Sequence, residues 1–499
     1  MQGIFRSLFI GGLMALPGWA AAVTPAVPYD FNGDGTSDVL WQNGPSGQVT
    51  IWQINAGLIN AAGGGSPGQP TADWYVFGSG DFNGDGKADI LWRNFTTGQV
   101  YIWFMNGGAQ NGGGAVSAVP TSDWVIQGVG DFNGDGFADI LWRNTNSGLV
   151  SIWLMNGTTK IGGSVLPVAP TSDWVIQGVG DFNHDGNADI LWRNTTSSQV
   201  SVWFMNGSTM TSSGVVTSTP TSDWVIQGVG DFNHDGFADI LWTNTTSGQV
   251  AIWFMNGTAV SPTSGVVASN PGIYWVIQGV GDYNGDGSSD ILWRNNNTGQ
   301  VSMWLMNGLT LSSSTAPATP TADWTIIEPN NAICPDSWSC EALAEHNKVR
   351  AHGSFGPGNP LPSPALAPLR WSLAQQNLVK TWTATCPTDD PNNVTGPFAG
   401  FGSNWFGESF SPRPQPPPPW GGAAVDDWAS EAANYTYIAG QSGNCSQGEC
   451  GHYTQIVWRS TKTVGCSVNY CPVPGSQFPD NFSLDCLYLP PGNFPTSPY

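Results

Sequence analysis

Between residues 28 and 329 short apolar runs and polar turns alternate on a fixed period of 50 or 51 residues. Within one period, Asp123 to Gly130 (DWVIQGVG), Ala138 to Asn144 (ADILWRN) and Leu149 to Met155 (LVSIWLM) each read as a strand. They are short, rich in β-branched and aromatic residues, and bounded by Gly, Asn and Ser. The third run ends on Asn156-Gly157, a pair whose members both accept the positive φ of a type I′ hairpin turn. The same pair recurs at Asn106, Asn206, Asn256 and Asn307, whereas the first period has Asn55-Ala56-Gly57. A weaker fourth strand follows each hairpin. Four antiparallel strands repeated at this spacing predict the blades of a β-propeller.

Between the first and second strands of every period lies one phrase, Asp-(Phe/Tyr)-Asn-(Gly/His)-Asp-Gly-x-(Ala/Ser)-Asp. It places side-chain oxygens at its positions 1, 3, 5 and 9. The first three sets are Asp30, Asn32, Asp34, Asp38; Asp81, Asn83, Asp85, Asp89; and Asp131, Asn133, Asp135, Asp139. The last three are Asp181, Asn183, Asp185, Asp189; Asp231, Asn233, Asp235, Asp239; and Asp282, Asn284, Asp286, Asp290. The position-7 carbonyl, Lys87 in the second loop, is available beside them, and the position-6 glycine permits the turn. An oxygen-only set of this size suits a hard cation, Ca2+ before others, and predicts about six calcium sites of structural role. An EF-hand needs a bidentate Glu at position 12. Here that position is Trp41, Trp92, Trp142, Trp192, Trp242 or Trp293, which excludes it.

Counting predicts how the repeats close. Six leading strands are marked by Trp74, Trp124, Trp174, Trp224, Trp275 and Trp324. The loop at Asp30 has no such strand before it, and the strand at Trp324 has no loop after it. The two ends together complete one blade, so the expectation is six blades with no exposed sheet edge at the seam. The phase-locked Trp103, Trp153 and their equivalents either stack sugars or fill the space between blades. The repeats resemble the FG-GAP/VCBS repeats of integrin α-subunit propellers and bacterial surface proteins. That resemblance implies Ca2+ on the loops and recognition of proteins or glycans by other surfaces.

The formal net charge is −22, and the six loops hold eighteen of the 36 acidic residues. Six bound Ca2+ would bring the balance to roughly −10, so the acidity reads as cation binding and argues against nucleic acid as a partner. Residues 1–22 have the form of a secretory signal: Arg6, an apolar stretch from Ser7 to Leu16, then Ala20-Ala21-Ala22. No later stretch has the roughly 18 apolar residues of a membrane span. All eight cysteines (Cys334, Cys340, Cys386, Cys445, Cys450, Cys466, Cys471, Cys486) lie in the last third, an even count that predicts disulfides in an exported chain.

Composition shifts at Glu328 to Asn331, and residues 334–499 read as a second domain. Helices are predicted over Cys340 to Arg350, Ser372 to Thr385 and Ala423 to Tyr437. Strands are predicted over Tyr453 to Arg459, Thr463 to Asn469 and Ser483 to Leu489, giving an α+β arrangement. The run Ser411 to Trp420 (SPRPQPPPPW) predicts an extended polyproline II insertion. His346-Asn347 with Arg350, Leu369 with Trp371, Gly407-Glu408, Trp428 with Glu431, Cys450 to Trp458 (CGHYTQIVW), Val464-Gly465-Cys466, and Cys486 to Asn493 (CLYLPPGN) occur in that order. Together they resemble the CAP superfamily of cysteine-rich secretory, antigen 5 and pathogenesis-related proteins. The resemblance implies an α-β-α sandwich and disulfides Cys386–Cys471, Cys445–Cys450 and Cys466–Cys486, with Cys334–Cys340 as an additional local pair. It also implies a cleft of two His and two Glu, sometimes around a metal. Glu408, Glu431 and His452 carry over, while the remaining His is replaced, with Asp390 near its place. A carboxylate there hardens any divalent-metal site and disfavours Zn2+.

The sequence thus predicts a multidomain protein: a signal (1–22), an all-β six-bladed β-propeller (28–329), and an α+β CAP domain (334–499). The function expected is Ca2+-dependent binding or adhesion outside the cell, with an extracellular protein, glycan or lipid as partner and no commitment to enzymatic activity. The alternatives are a metal-assisted hydrolase using His452, Glu408 and Glu431, and a sterol or lipid carrier.

Overall fold

The structure is a computed structural model. It describes residues 27–327 apart from 44–47, 61–64, 69–73, 95–96, 118–123, 145–146, 172, 195, 222–223, 245–246, 272–274, 296–297 and 321–323. In the last third it describes 342, 346, 369–371, 379, 383, 402–410, 425, 428–431, 435–436, 444–445, 451–457, 461, 463–472 and 480–489. The signal-like residues 1–22 and the proline run lie outside this set.

The repeats form successive four-stranded antiparallel sheets, a propeller-like arrangement. In the third repeat the strands Trp124–Gly130, Asp139–Asn144, Val150–Asn156 and Thr159–Gly162 lie in chain order from one edge to the other. The register places Val129 opposite Ile140, and Ile140 opposite Trp153. The leading strand carries a bulge between Ile126 and Gly128, so Gln127 is the extra residue. Two glycines after the bulge allow the next repeat to approach. A Cβ on Gly128 would stand 2.6 Å from Val179 Cγ2, and one on Gly130 2.7 Å from Val179 Cγ1.

At the seam, Trp324–Ile326 pairs antiparallel with Val39–Asn43, with Ile326 opposite Trp41. Neighbouring repeats are also stitched by backbone bonds. Ala138 N–H donates to Asp81 O and Ala188 N–H to Asp131 O, both at 2.7 Å. The sixth loop makes the same bond to the first, Ser37 N–H to Asp282 O at 2.7 Å.

The core lies between sheets. One cluster joins Phe82, Leu91, Val100 and Ile102 of the second repeat to Ile126, Ile140, Trp142 and Trp153 of the third. Each position-12 tryptophan is fully buried and meets a third-strand tryptophan of its own sheet. The Trp142 and Trp153 ring centroids are 4.8 Å apart at 45°. Over several of these rings lies the arginine of the preceding repeat. Arg93 stands 5.3 Å from the Trp142 centroid while its Nη1 donates to Trp124 O at 2.5 Å. Phase-locked tryptophan therefore fills space between neighbouring sheets, the packing alternative of the two that the sequence left open.

In the last third, a four-stranded sheet orders Arg370–Trp371, Thr463–Pro472, Asp480–Leu489 and Gly402–Phe410. The first pair is parallel and the other two are antiparallel. Ala342, His346, Val379, Thr383, Val425 and Trp428 are helical, where helices are expected. Two expectations fail: Tyr435–Thr436, inside the expected helix Ala423 to Tyr437, forms a short strand paired with Asn444–Cys445, and Tyr453 to Arg459, read as a strand, contributes instead to the helix Gly451–Ile456. Its aromatic and β-branched composition favours strand, but Tyr453, Ile456 and Val457 bury one face at helical spacing, and packing overrides propensity.

Removing one inter-sheet tryptophan should therefore be costly. Trp142→Ala is expected to destabilise the folded protein by about 3–5 kcal/mol in urea unfolding followed by fluorescence. A loss below about 1 kcal/mol would contradict the inter-sheet core.

Candidate cation loops and the C-terminal cleft

Each acidic loop is a compact turn held by its own carboxylates. In the second loop, Asp81 Oδ1 accepts the N–H groups of Gly84 (2.7 Å) and Asp85 (3.2 Å), and Oδ2 accepts that of Gly86 (2.7 Å). Asn83 Oδ1 accepts Asp85 N–H at 2.9 Å, and Asp85 Oδ1 accepts Lys87 N–H at 3.0 Å. Gly84 (φ 73°) and Gly86 (φ 81°) are left-handed, a conformation that glycine adopts without a Cβ clash.

The third carboxylate has a different setting. Asp89 opens the second strand of its sheet, is wholly buried, and points both oxygens at backbone donors. Oδ2 accepts Phe82 N–H at 3.0 Å and Oδ1 accepts Met105 N–H at 2.9 Å. Every repeat reproduces this clamp, for example Asp139 on Phe132 and Met155, and Asp290 on Tyr283 and Met306. Sequence spacing found these residues but not this second duty, because the duty depends on the third strand returning beside the loop.

Burial pushes the clamp carboxyls up to about 8 at Asp38, Asp139, Asp239 and Asp290, and to about 7 at Asp89 and Asp189. Backbone hydrogen bonds oppose the rise, and the position-1 and position-5 carboxylates of the same loop add to it. Asp30, Asp81 and Asp131 are also raised, again chiefly by burial. Among the described residues one ion pair reaches these loops, Lys87 Nζ to Asp85 at 4.0 Å.

The donor set fits a hard cation in its chemistry: three carboxylates, an amide oxygen and a backbone carbonyl, with one carboxylate buried beside two others. Asp81 Oδ1 is taken up by two N–H groups, whereas Asp81 Oδ2, Asp85 Oδ1 and both Asp89 oxygens each accept one and retain acceptor capacity. Among the described residues no three His, Cys, Asp or Glu side chains already close on a common point. The fit therefore lies in charge and atom type, with Asp85 and its equivalents on the solvent side of the loop.

In the last third, Glu431 is half-buried and its Oε2 accepts the N–H of Tyr453 at 3.2 Å. This brings Glu431 to the helix Gly451–Ile456, which contains His452. Glu408 lies in the strand Gly402–Phe410, opposite Phe482. Asp390 and the side chains of Glu408 and His452 lie outside the described residues. Of the expected disulfides, Cys466–Cys486 is present and joins directly facing strand positions. Both partners of Cys334–Cys340, and Cys386 and Cys450 of the other two pairs, lie outside the described residues.

Site reasoning missed a buried polar chain beside the sheet. His346 Nδ1 faces Ala342 O at 2.6 Å, so it carries the proton, and Nε2 receives the Tyr488 hydroxyl at 2.7 Å. Asn404 Nδ2 donates to the same hydroxyl oxygen at 3.1 Å. Burial raises the Tyr488 phenol well above its ordinary value, which keeps it a donor. The available signal was the recurrence of His346 and Tyr488 inside separate motifs.

Two families match separate parts of the chain. The FG-GAP-like repeat family matches residues 30–92, 81–142, 131–192, 181–242 and 231–293, together more than half of the chain. The cysteine-rich secretory protein family matches residues 343–482. Glioma pathogenesis-related protein 1 of Mus musculus is 27% identical over 206 residues, covering 40% of this chain and 66% of its own length. GLIPR1-like protein 1 of Bos taurus is 28% identical over 205 residues, covering 40% of this chain and 73% of its own. The chain thus spans about two-thirds of these relatives. The crystal structure of a nidogen/laminin complex aligns with a TM-score of 0.40 at 11% identity, over 58% of this chain and 96% of that one.

Two measurements follow. In cation-free buffer, carboxyls whose folded pKa is raised stabilise the fold below their unfolded value near 4 and lose that contribution as pH rises through about 7–8. The melting temperature in chelator should therefore fall between pH 5 and pH 8, and a rise would contradict the buried clamp. Separately, Tyr488→Phe leaves His346 Nε2 without its donor and should cost about 1–3 kcal/mol in chemical unfolding. No change would show that the chain of bonds is dispensable.

Proposed function

This chain belongs to the FG-GAP-like repeat family and carries a cysteine-rich secretory protein domain after its repeats, and on that premise we propose that it is an exported, Ca2+-dependent binding or adhesion protein. In this reading a calcium-stabilised propeller, residues 28–329, presents a CAP domain, residues 334–499, for recognition of an extracellular protein, glycan or lipid. Export is supported by the secretory family match and by the Cys466–Cys486 disulfide, a bond typical of oxidising compartments.

A closed ring of six blades is supported at the seam. Trp324–Ile326 completes the sheet begun by Val39–Asn43, and Gly57 N–H donates to Tyr283 O at 2.9 Å as Gly157 N–H does to Phe82 O at 2.7 Å. One kind of bond therefore recurs at the seam and between interior repeats.

The observation that carries the calcium reading is the buried clamp carboxylate set beside two further carboxylates in every loop. In the second loop Asp81, Asn83, Asp85, Asp89 and the Lys87 carbonyl would hold the ion, and the corresponding residues would do so elsewhere. Bound calcium supplies positive charge that offsets carboxylate repulsion. The chain contributes orientation: Asp81 gathers the loop N–H groups, and Asp89 locks the loop to the third strand. Calcium on these loops is thus structural, and specificity lies on other faces of the repeats or in the CAP cleft.

Thermal unfolding of the full chain at neutral pH tests this. Calcium at a hundredfold its dissociation constant adds about 2.7 kcal/mol of folded-state stability per site, so EDTA should lower the melting temperature by several degrees or more. An identical melt with calcium and with EDTA would sink the proposal. A glycan array and phosphatidylcholine–cholesterol liposomes, each probed with and without Ca2+, then sort the ligand classes.

A further inference from the structure

Position 4 of the acidic loop is glycine in four repeats and histidine in two. The glycines Gly33, Gly84, Gly134 and Gly285 have φ between 68° and 76°. His184 and His234 occupy the same left-handed conformation at φ 59°, where a side chain is unfavourable unless the surroundings hold it. Both rings are held by the next loop. His184 Nδ1 faces Gly236 O at 2.8 Å, and His234 Nδ1 faces Gly287 O at 2.7 Å. A carbonyl only accepts, so each Nδ1 carries the proton and donates. The His184 ring also packs on Phe237, with centroids 5.4 Å apart.

The accepting carbonyls occupy a particular place. The peptide that ends in Gly236 O continues into the Phe237 N–H, which donates to Asp235 Oδ1 at 3.0 Å. At the next junction the Gly287 peptide continues into the Ser288 N–H, which donates to Asp286 Oδ1 at 2.9 Å. Each histidine therefore reaches, through one peptide unit, the position-5 carboxylate of the following loop. Within its own loop it sits between two candidate ligands, His184 between Asn183 and Asp185 and His234 between Asn233 and Asp235. Hydrogen bonds in series polarise and orient one another. Where position 4 is glycine, the same junction has no side chain to make the link. A Cβ built on Gly134 would meet Asn187 Oδ1 at 3.2 Å, and one on Gly285 would meet Thr36 Cγ2 at 3.1 Å.

We propose that His184 and His234 couple the fourth, fifth and sixth acidic loops into one cooperative calcium-binding unit, while the first three loops bind singly. This rests on the calcium reading above. Ordering Asp185 by an ion in the fourth loop fixes His184, whose bond then holds the Gly236–Phe237 peptide and Asp235 in the fifth loop. His234 repeats the step toward Asp286. By linkage the effect is reciprocal, so filling the sixth loop favours the fifth equally.

Isothermal titration of the full chain with Ca2+, after removal of divalent ions, decides it. The wild type is expected to show two classes of site, one of them cooperative. The double variant His184→Gly/His234→Gly installs the residue that four sister loops already carry, so the loop backbone is retained, as circular dichroism checks. It should lose the cooperative class, with affinity at those sites falling about fivefold or more and total calcium uptake unchanged. His184→Gly alone should release only the fourth loop. A double-variant isotherm matching the wild type would overturn the coupling and leave the calcium reading standing. Absence of calcium uptake by either protein would overturn both.

Discussion

The clamp made by the ninth residue of each acidic phrase holds the repeat together. Asp89 and its counterparts fasten the start of the loop, through the Phe82 N–H, to the third strand of the sheet, through the Met105 N–H. A serine or asparagine has too few acceptors to make both bonds and keep capacity for a cation. The clamp thus fixes the loop, the second strand and the third strand as one unit. Its cost is a wholly buried carboxylate beside two others of the same sign, and the sequence supplies that set in every repeat.

Around this unit, packing between sheets follows from small and large residues placed in phase. Gly128 and Gly130 lack the Cβ that would strike Val179, so neighbouring leading strands come close. On the second and third strands Trp142 and Trp153 pack into the space between sheets, and Arg93 spans it by stacking on Trp142 while bonding Trp124 O. The pattern is not uniform. Gln42 and Thr243 stand where other repeats have arginine, and Gln227 Nε2 bonds Thr243 Oγ1 in its place. Repeats with equivalent backbones therefore differ in how firmly they are tied to the next.

Much of the repeat region was legible because its signals are local and periodic. The Asn-Gly pairs locate the hairpins, the acidic phrase locates the turns, and the unmatched strand at Trp324 anticipates its pairing with Val39–Asn43. The last third was read less well. The strand Gly402–Phe410 (GSNWFGESF) contains two glycines and two serines and has little strand signature, yet it pairs along its whole length with Asp480–Leu489. The helix Gly451–Ile456 was mistaken for a strand because its residues favour extended backbone in isolation. The loops were found as ligand sets, but the inward turn of the clamp carboxylates and the bridges from His184 and His234 depend on neighbours far away in sequence. Such contacts leave no trace in spacing.

In the proposed reading the acidic loops are scaffold and recognition lies on other surfaces. That reading requires each loop to take up one calcium ion, and counting bound metal tests this most directly. The full chain is dialysed to equilibrium against millimolar Ca2+ and analysed by atomic absorption with the dialysate as blank, alongside a variant with Asp85→Ala and Asp135→Ala. One Ca2+ per acidic loop is expected in the wild type and two fewer in the variant. Metal content near zero in the wild type, or equal in the two proteins, would contradict it.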